Sequence, residues 1–267
     1  MMKSYPLEYL QVIQRFRLLD DTFMTAVFDG DIEATQLVLR IILDKPDLIV
    51  VTSQAQHLLK NLQGRSCQLD IHAYDSTGQQ FDIEVQRDDR GAGSKRARYH
   101  SSLMDANSIR SGEPTDALPE TYVVFITEND VMKGDLALYH VERMILETGE
   151  PFNDDSHIIY VNGAIEEDTA IGKLMHDFRC TDPDDMYYPL LAERTRHFKS
   201  TEEGRETMCR QIENLVLAER ERLLKEFDAE RKANSKALVD YLMKQNPNLS
   251  ELDATKIAES ILTKNYF

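Results

Sequence analysis

LDIHAYDSTGQQFDIEVQ, residues 69–86, decides the fold. Leu69, Ile71 and Ala73 alternate with Asp70, His72 and Tyr74, and Phe81, Ile83 and Val85 alternate with Asp82, Glu84 and Gln86. A period of two is that of strands with one apolar face, so strands are expected over 67–74 and 80–87. Asp75-Ser76-Thr77-Gly78 between them is a turn signal of hairpin length. Asp70 and Glu84 are 14 positions apart, far enough for the chain to run out, turn and return. Asp70, Glu84 and Gln86 should therefore converge.

Outward from the hairpin, the segment before it (DDTFMTAVFDGDIEATQLVLRIILDK) is helical in pattern. Phe23, Val27 and Phe28 lie on one turn pattern, and Leu37, Val38, Ile41 and Ile42 are expected to form a buried face. After the hairpin, a loop with Gly91 and Gly93 leads to a helix over 95–109, its apolar positions at Tyr99, Leu103, Ala106 and Ile109. TYVVFIT (121–127) is a nearly continuous apolar run that suits a strand covered on both faces. Strands are expected at 137–143 and 157–161, either side of the turn-rich GEPFNDDS, then helices at 169–178 and 189–198. From about Glu202 to Lys244 the chain is charged and helical, with neither Gly nor Pro between Arg205 and Asn246, and a last helix follows at 252–262, with Ser250 placed to cap it. The fold class expected is α/β, a mixed central sheet flanked by helices, with one domain over 14–200 and a helical C-terminal extension over 201–267.

Composition narrows the function classes. Hydrophobic residues make up 42% of the 267, enough for a buried core. No stretch approaches the roughly 20 apolar residues of a membrane span, and residues 1–10 lack the apolar region of a secretion signal, so a cytoplasmic protein is expected. Cys67, Cys180 and Cys209 form no C-x-x-C pair, the histidines form no H-x-x-x-H or H-E-x-x-H motif, and Gly91-Ala92-Gly93-Ser94 lacks the flanks of a P-loop. A formal net charge of −16 opposes nucleic-acid binding by the chain as a whole. Residues 87–98 (RDDRGAGSKRAR) nevertheless hold five basic side chains against two acidic, a local place for a strand to dock.

Two converging carboxylates suit a hard dication, since Mg²⁺ takes oxygen ligands and is commonly held by one or two carboxylates together with water and phosphate. Spacing alone is also met by a solvated hairpin, because the chain has 47 acidic residues. Context carries the rest: LDIHAYDSTGQQFDIEVQ, then SKRARYHSSLMD (94–105), then TYVVFIT resemble the PD-(D/E)XK nuclease family transposases, or recombination-promoting nucleases. The resemblance spans roughly 20–200 and extends to the long charged helix.

The resemblance implies a metal-dependent DNA endonuclease, with Mg²⁺ or Mn²⁺ as cofactor and DNA as partner, linked to recombination or mobile elements. The family's two metal-binding acids fall on Asp70 and Glu84, and its lysine position falls on Gln86. The E-x-Q form is common in this branch, although an amide cannot supply the ammonium's charge. The R-x-x-Y helix motif matches Arg96 and Tyr99. Two readings stay open there: Arg96 with Tyr99 orients a phosphate, or Tyr99 packs under the sheet while Arg96 pairs with Glu84 or a surface acid. Glu33 is the candidate first-helix acid completing the metal site, with Asp21, Asp29 and Asp31 nearby; the family's Asp-x-x-Phe-Lys-x-x-Phe stretch appears as residues 21–28 without its lysine. His100 stands where the motif often has a second tyrosine and is expected on the helix surface. The rival function is a catalytically inactive nuclease fold serving as an interaction module. Apolar residues on the long helix, among them Ile212, Leu215, Leu223, Phe227 and Leu238, permit a homo-oligomer.

Overall fold

A computed structural model describes residues 5–61 and 64–264. The chain forms two compact units, one up to Arg210 and the other from Gln211 onward. In the first, α1 (Leu7–Arg15), α2 (Asp21–Phe28) and α3 (Ile32–Leu43) precede β1 (Val50–Leu59), β2 (Cys67–Asp75) and β3 (Gln80–Gln86). A short 3-10 turn leads to α4 (Ser94–Ser108), followed by β4 (Thr121–Thr127), β5 (Leu138–Val141), the small β6–β7 hairpin (Met144–Ile145, Glu150–Pro151), β8 (Ser156–Asn162), α5 (Ala170–Arg179) and α6 (Pro189–Ser200).

Six strands form one mixed sheet in the order β1-β2-β3-β4-β8-β5. Neighbours β1–β2, β2–β3 and β8–β5 are antiparallel, and β3–β4 and β4–β8 are parallel. The TYVVFIT run is β4, buried along its whole length in the middle of the sheet. The β2–β3 turn is fixed by Asp75, whose Oδ1 accepts the N–H groups of Thr77 and Gln79 at 2.9 Å each, while Gly78 takes the left-handed φ of +91° that a side chain would oppose.

Because β3 and β4 are parallel, the connection between them must cross over the sheet, and α4 is that crossover. Its Ala97, Leu103 and Met104 pack with Val123 and Phe125 of β4 and Tyr160 of β8. In register, Val123 and Phe125 sit beside Asp82 and Glu84, so α4 lies over the hairpin's acids.

The second unit holds the remainder of α7 (Glu202–Gln245) and α8 (Glu251–Lys264), with a small core of Val239, Ala254 and Ala258 closed by Leu238, Leu242, Met243 and Leu249. Ser250 Oγ accepts the N–H of Asp253 at 3.2 Å, capping α8.

The structure differs from the sequence reading at several elements. A helix over Leu7–Arg15 precedes the helical segment read from the sequence. Strand β1 is an added edge strand, and β6–β7 an added hairpin that runs into the turn-rich stretch. The buried face of α3 is Ala34, Thr35, Val38, Leu39 and Ile42, with Leu37 and Ile41 half-buried. In α4, Ala106 is exposed and Ile109 lies past the last turn, because the helix turns its polar His100 and Ser101 inward instead. The boundary between the compact units falls inside α7 rather than before it.

Candidate metal centre

Strands β2 and β3 pair through Ile71–Ile83 and then part. Beyond that point the ladder is replaced by side chains. The N–H of Asp70 donates to Glu84 Oε1 at 3.0 Å, and the N–H of Val85 donates to Asp70 Oδ2 at 3.0 Å. Each carboxylate thus satisfies a backbone donor of the opposite strand, which fixes the two groups against each other where the strands diverge.

Period two along β3 puts Asp82 beside Glu84, and both side chains have zero exposure. His100 reaches in from α4: its Nδ1 lies 2.8 Å from Asp82 Oδ2 and 3.6 Å from Glu84 Oε1. Arg96, one turn earlier on α4, donates from Nη2 to Glu84 Oε2 at 2.6 Å, from Nη1 to Gln86 Oε1 at 3.4 Å and Gly91 O at 3.2 Å, and from Nε to His100 Nε2 at 3.3 Å. An imidazole that accepts at Nε2 carries its proton on Nδ1, and that proton points at Asp82. No donor among the described residues reaches Asp82 Oδ1, although it is buried.

Three carboxylates and one guanidinium in a buried space leave an excess of negative charge. Burial, with Glu84 adjacent, pushes Asp70 up to about 7. Burial, with Asp82 adjacent, pushes Glu84 up to about 8. Asp82 is raised well above the usual carboxylate range by burial and by Asp70. Burial lowers His100, favouring the neutral ring. One ligand atom from each of Asp82, Glu84 and His100 lies within 4.8 Å of the others. Clustered oxygens, an unpartnered buried carboxylate oxygen and a neutral imidazole are a donor set that fits a divalent cation.

A cavity of about 770 Å³ opens beside this cluster, lined by Arg65, Lys95, Arg96, Tyr99 and His100 among others. Tyr99 faces this cavity rather than the carboxylates: its hydroxyl donates to Arg65 O and accepts from Asn61 Nδ2 at 3.1 Å, tying the β1–β2 connection to α4. Arg87 pairs with Asp20 and Glu128, and Arg90 with Asp88, so much of the basic stretch is neutralised within the chain.

Asp70, Glu84, Gln86 and Arg96 are brought together; Glu33 is not seen to join them. It is exposed on the first turn of α3, and the helix acid whose charge reaches Asp70 is Asp21. Asp31 caps α3 and pairs with Arg194, and Asp29 accepts from the Ala55 N–H. His100 is 3% exposed, not a surface residue. Sequence reasoning passed over Asp82 and His100 as site residues, though both carried a signal: Asp82 is two before Glu84, and His100 is four after Arg96.

A scan against protein-family models matches residues 35–244 to PD-(D/E)XK nuclease family transposase. The chain belongs to that family. Neither curated proteins nor solved structures gave a match. PD-(D/E)XK nuclease family membership gives the chain a nuclease- and transposase-related role and a DNA-binding one, in a family whose nucleases typically use divalent metals. No described helix is long and apolar enough to cross a membrane.

Proposed function

We propose that this chain is a Mg²⁺- or Mn²⁺-dependent endonuclease that hydrolyses DNA phosphodiester bonds in recombination or in the service of a mobile element. The observation that carries the reading is the meeting of Asp70, Asp82 and Glu84 where β2 and β3 part, next to a cavity with cationic walls. Asp70 and Glu84 would hold the cation, which when bound supplies an activated water and neutralises charge on the departing oxygen.

The remaining work falls to the chain's own side chains. Arg96 is held as a fork between Glu84 and Gln86, a shape suited to bidentate contact with phosphate oxygens. His100 orients that fork through its Nε2. Arg65 and Lys95 line the cavity without an ion pair among the described residues, and attract flanking phosphates. The Gln86 amide can hold a water by hydrogen bonds but carries no charge, so stabilisation of developing charge rests on Arg96. Tyr99 holds the cavity wall in place. Asp21, rather than Glu33, is the helix acid whose charge acts on Asp70, raising it further, and a cation between them would relieve that repulsion.

Cleavage of supercoiled plasmid by the purified chain, dependent on added Mg²⁺ or Mn²⁺ and abolished by a chelator, is the expected result. Silence of the folded chain with both cations would favour the second reading, an inactive interaction module. That reading draws on the 2.6 Å Arg96–Glu84 ion pair and the missing ammonium at Gln86.

Self-association belongs to the same proposal. On α7, Leu215 and Val216 precede, and Leu223 and Leu224 follow, Glu219 and Arg220, and these six residues line one open apolar surface. A second copy lying antiparallel would place apolar pair on apolar pair and Glu219 against Arg220.

A further inference from the structure

The family assignment accounts for two acids, yet the buried cluster contains a third acid and an imidazole for which that pair has no use. Asp82 is fully buried, and no described donor reaches its Oδ1. A carboxyl left half unsatisfied in the interior either keeps a proton or, once ionised, takes a hydrogen-bond donor or a metal. His100 Nδ1 sits 2.8 Å from the other oxygen of Asp82 and 3.6 Å from Glu84 Oε1. In an octahedral site with bonds of about 2.1 Å, neighbouring ligand atoms lie about 3 Å apart. The ligand atoms of Asp82, Glu84 and His100 all lie within 4.8 Å of one another, close enough for one such ion to take all three.

We propose that Asp82 and His100 are metal ligands together with Glu84, and that this nitrogen-bearing centre selects Mn²⁺ over Mg²⁺. The inference rests on the metal-dependent reading above and deepens it. Mg²⁺ takes oxygen ligands and dehydrates reluctantly, whereas imidazole is a better donor to first-row transition dications, so one nitrogen in the set separates the two ions.

Ligation also moves Arg96. With Nδ1 on the metal, the His100 proton sits on Nε2, which then donates rather than accepts, and the 3.3 Å contact from Arg96 Nε becomes donor against donor. Glu84, shared with a dication, holds the guanidinium less tightly. The arginine is thereby released toward the adjoining cavity, where Arg65 and Lys95 already stand. Loading of the centre and presentation of a phosphate-binding group become one event.

Pulsed electron paramagnetic resonance of Mn²⁺ bound to the full chain tests this without relying on activity. Comparing protein made with natural-abundance and with ¹⁵N-labelled histidine, the expected result is a directly coordinated histidine nitrogen, lost in His100→Gln and retained in His72→Gln. Competition calorimetry should show Mn²⁺ bound at least about ten-fold more tightly than Mg²⁺, with that ratio falling toward unity in His100→Gln. Mn²⁺ binding that needs Asp70 and Glu84 but shows no histidine nitrogen would overturn the inference and leave the nuclease reading standing. A nitrogen that persists in His100→Gln or vanishes in His72→Gln would overturn it as well, as would equal affinity for the two ions. Failure of the folded parent to bind Mn²⁺ at all would sink both. Should His100→Gln not fold, the labelled parent and His72→Gln still decide the outcome.

Discussion

At the residue, the centre is governed by competition among protons, Arg96 and a cation for the same oxygens. Asp70 and Glu84, raised to about 7 and about 8, hold protons near neutral pH that a metal must displace. Affinity for Mn²⁺ or Mg²⁺ is therefore expected to rise between pH 6 and pH 9, by more than the ten-fold per pH unit of a single proton where both groups titrate; calorimetry across that range checks it. Stability runs the other way. A carboxyl whose folded pKa exceeds its unfolded value binds more protons when folded, so its contribution is present at low pH and is lost as pH rises through the folded pKa. Without added metal the protein should melt lower at pH 8.5 than at pH 6, and Mn²⁺ should restore the difference; an unchanged melting temperature would remove the buried-proton argument. Glu84→Gln takes one charge from the cluster, and at pH 8.5 it should melt as high as the parent or higher, by roughly 2–4 °C for each kcal/mol gained. The placing of Asp70 and Glu84 was legible in the sequence because period two is rigid: each carboxylate reaches the opposite strand where the alternation puts it, and Gln86 joins through Arg96. His100 was not, because α4 is polar on nearly every side, and an inward histidine is marked only by a buried carboxylate partner on another element.

At the element, the hairpin and β4 were readable for the same reason that they place the site. One alternates, the other is apolar throughout, and both patterns are strand patterns. Strand β1 gave neither. Its apolar residues 50, 51, 55, 58 and 59 do not alternate, the register shifts between Val50 and Thr52, and Gln56 has φ +54°. As an edge strand it is paired on one side only, which relaxes the demand for a pattern. Helix α6 anchors the helical layer by an unusual device. Lys199, 1% exposed, donates from Nζ to Gln14 O at 3.1 Å, Phe16 O at 2.6 Å and Thr181 O, joining the α1–α2 and α5–α6 connections. Lys199→Met keeps the length and removes the donor, leaving three inward carbonyls short of a partner. A loss of roughly 2–4 kcal/mol is expected, read by urea unfolding. Loss below about 0.5 kcal/mol would mean that water reaches those carbonyls.

At the scale of the whole chain, a protein of net charge −16 must bind a polyanion through a local site. The basic stretch that suggested one is partly spent on internal pairs, Arg96 with Glu84 among them, and the cavity's Arg65 and Lys95 remain as its cationic wall. DNA binding should accordingly weaken with salt only gently, with a slope on the order of two to three phosphate contacts. Arg65→Ala with Lys95→Ala should lower that slope without shifting Mn²⁺ affinity, as fluorescence anisotropy and calorimetry would show. On α7, Leu223→Glu with Leu224→Glu should abolish concentration-dependent sedimentation of the parent; a parent that sediments as a monomer at all concentrations would contradict self-association.

The most direct test sets the parent beside Glu84→Gln, matched for folding by circular dichroism, on supercoiled plasmid with Mn²⁺. The exchange of one carboxylate oxygen for an NH2 group removes a metal-binding charge and one of the two acceptors that Asp70 N–H and Arg96 use, while keeping the side chain's shape. Nicking by the parent, and a loss of at least about a hundred-fold in the variant, is the expected result for a centre that acts through a bound cation. Equal nicking by both proteins would contradict it and place any cleavage elsewhere.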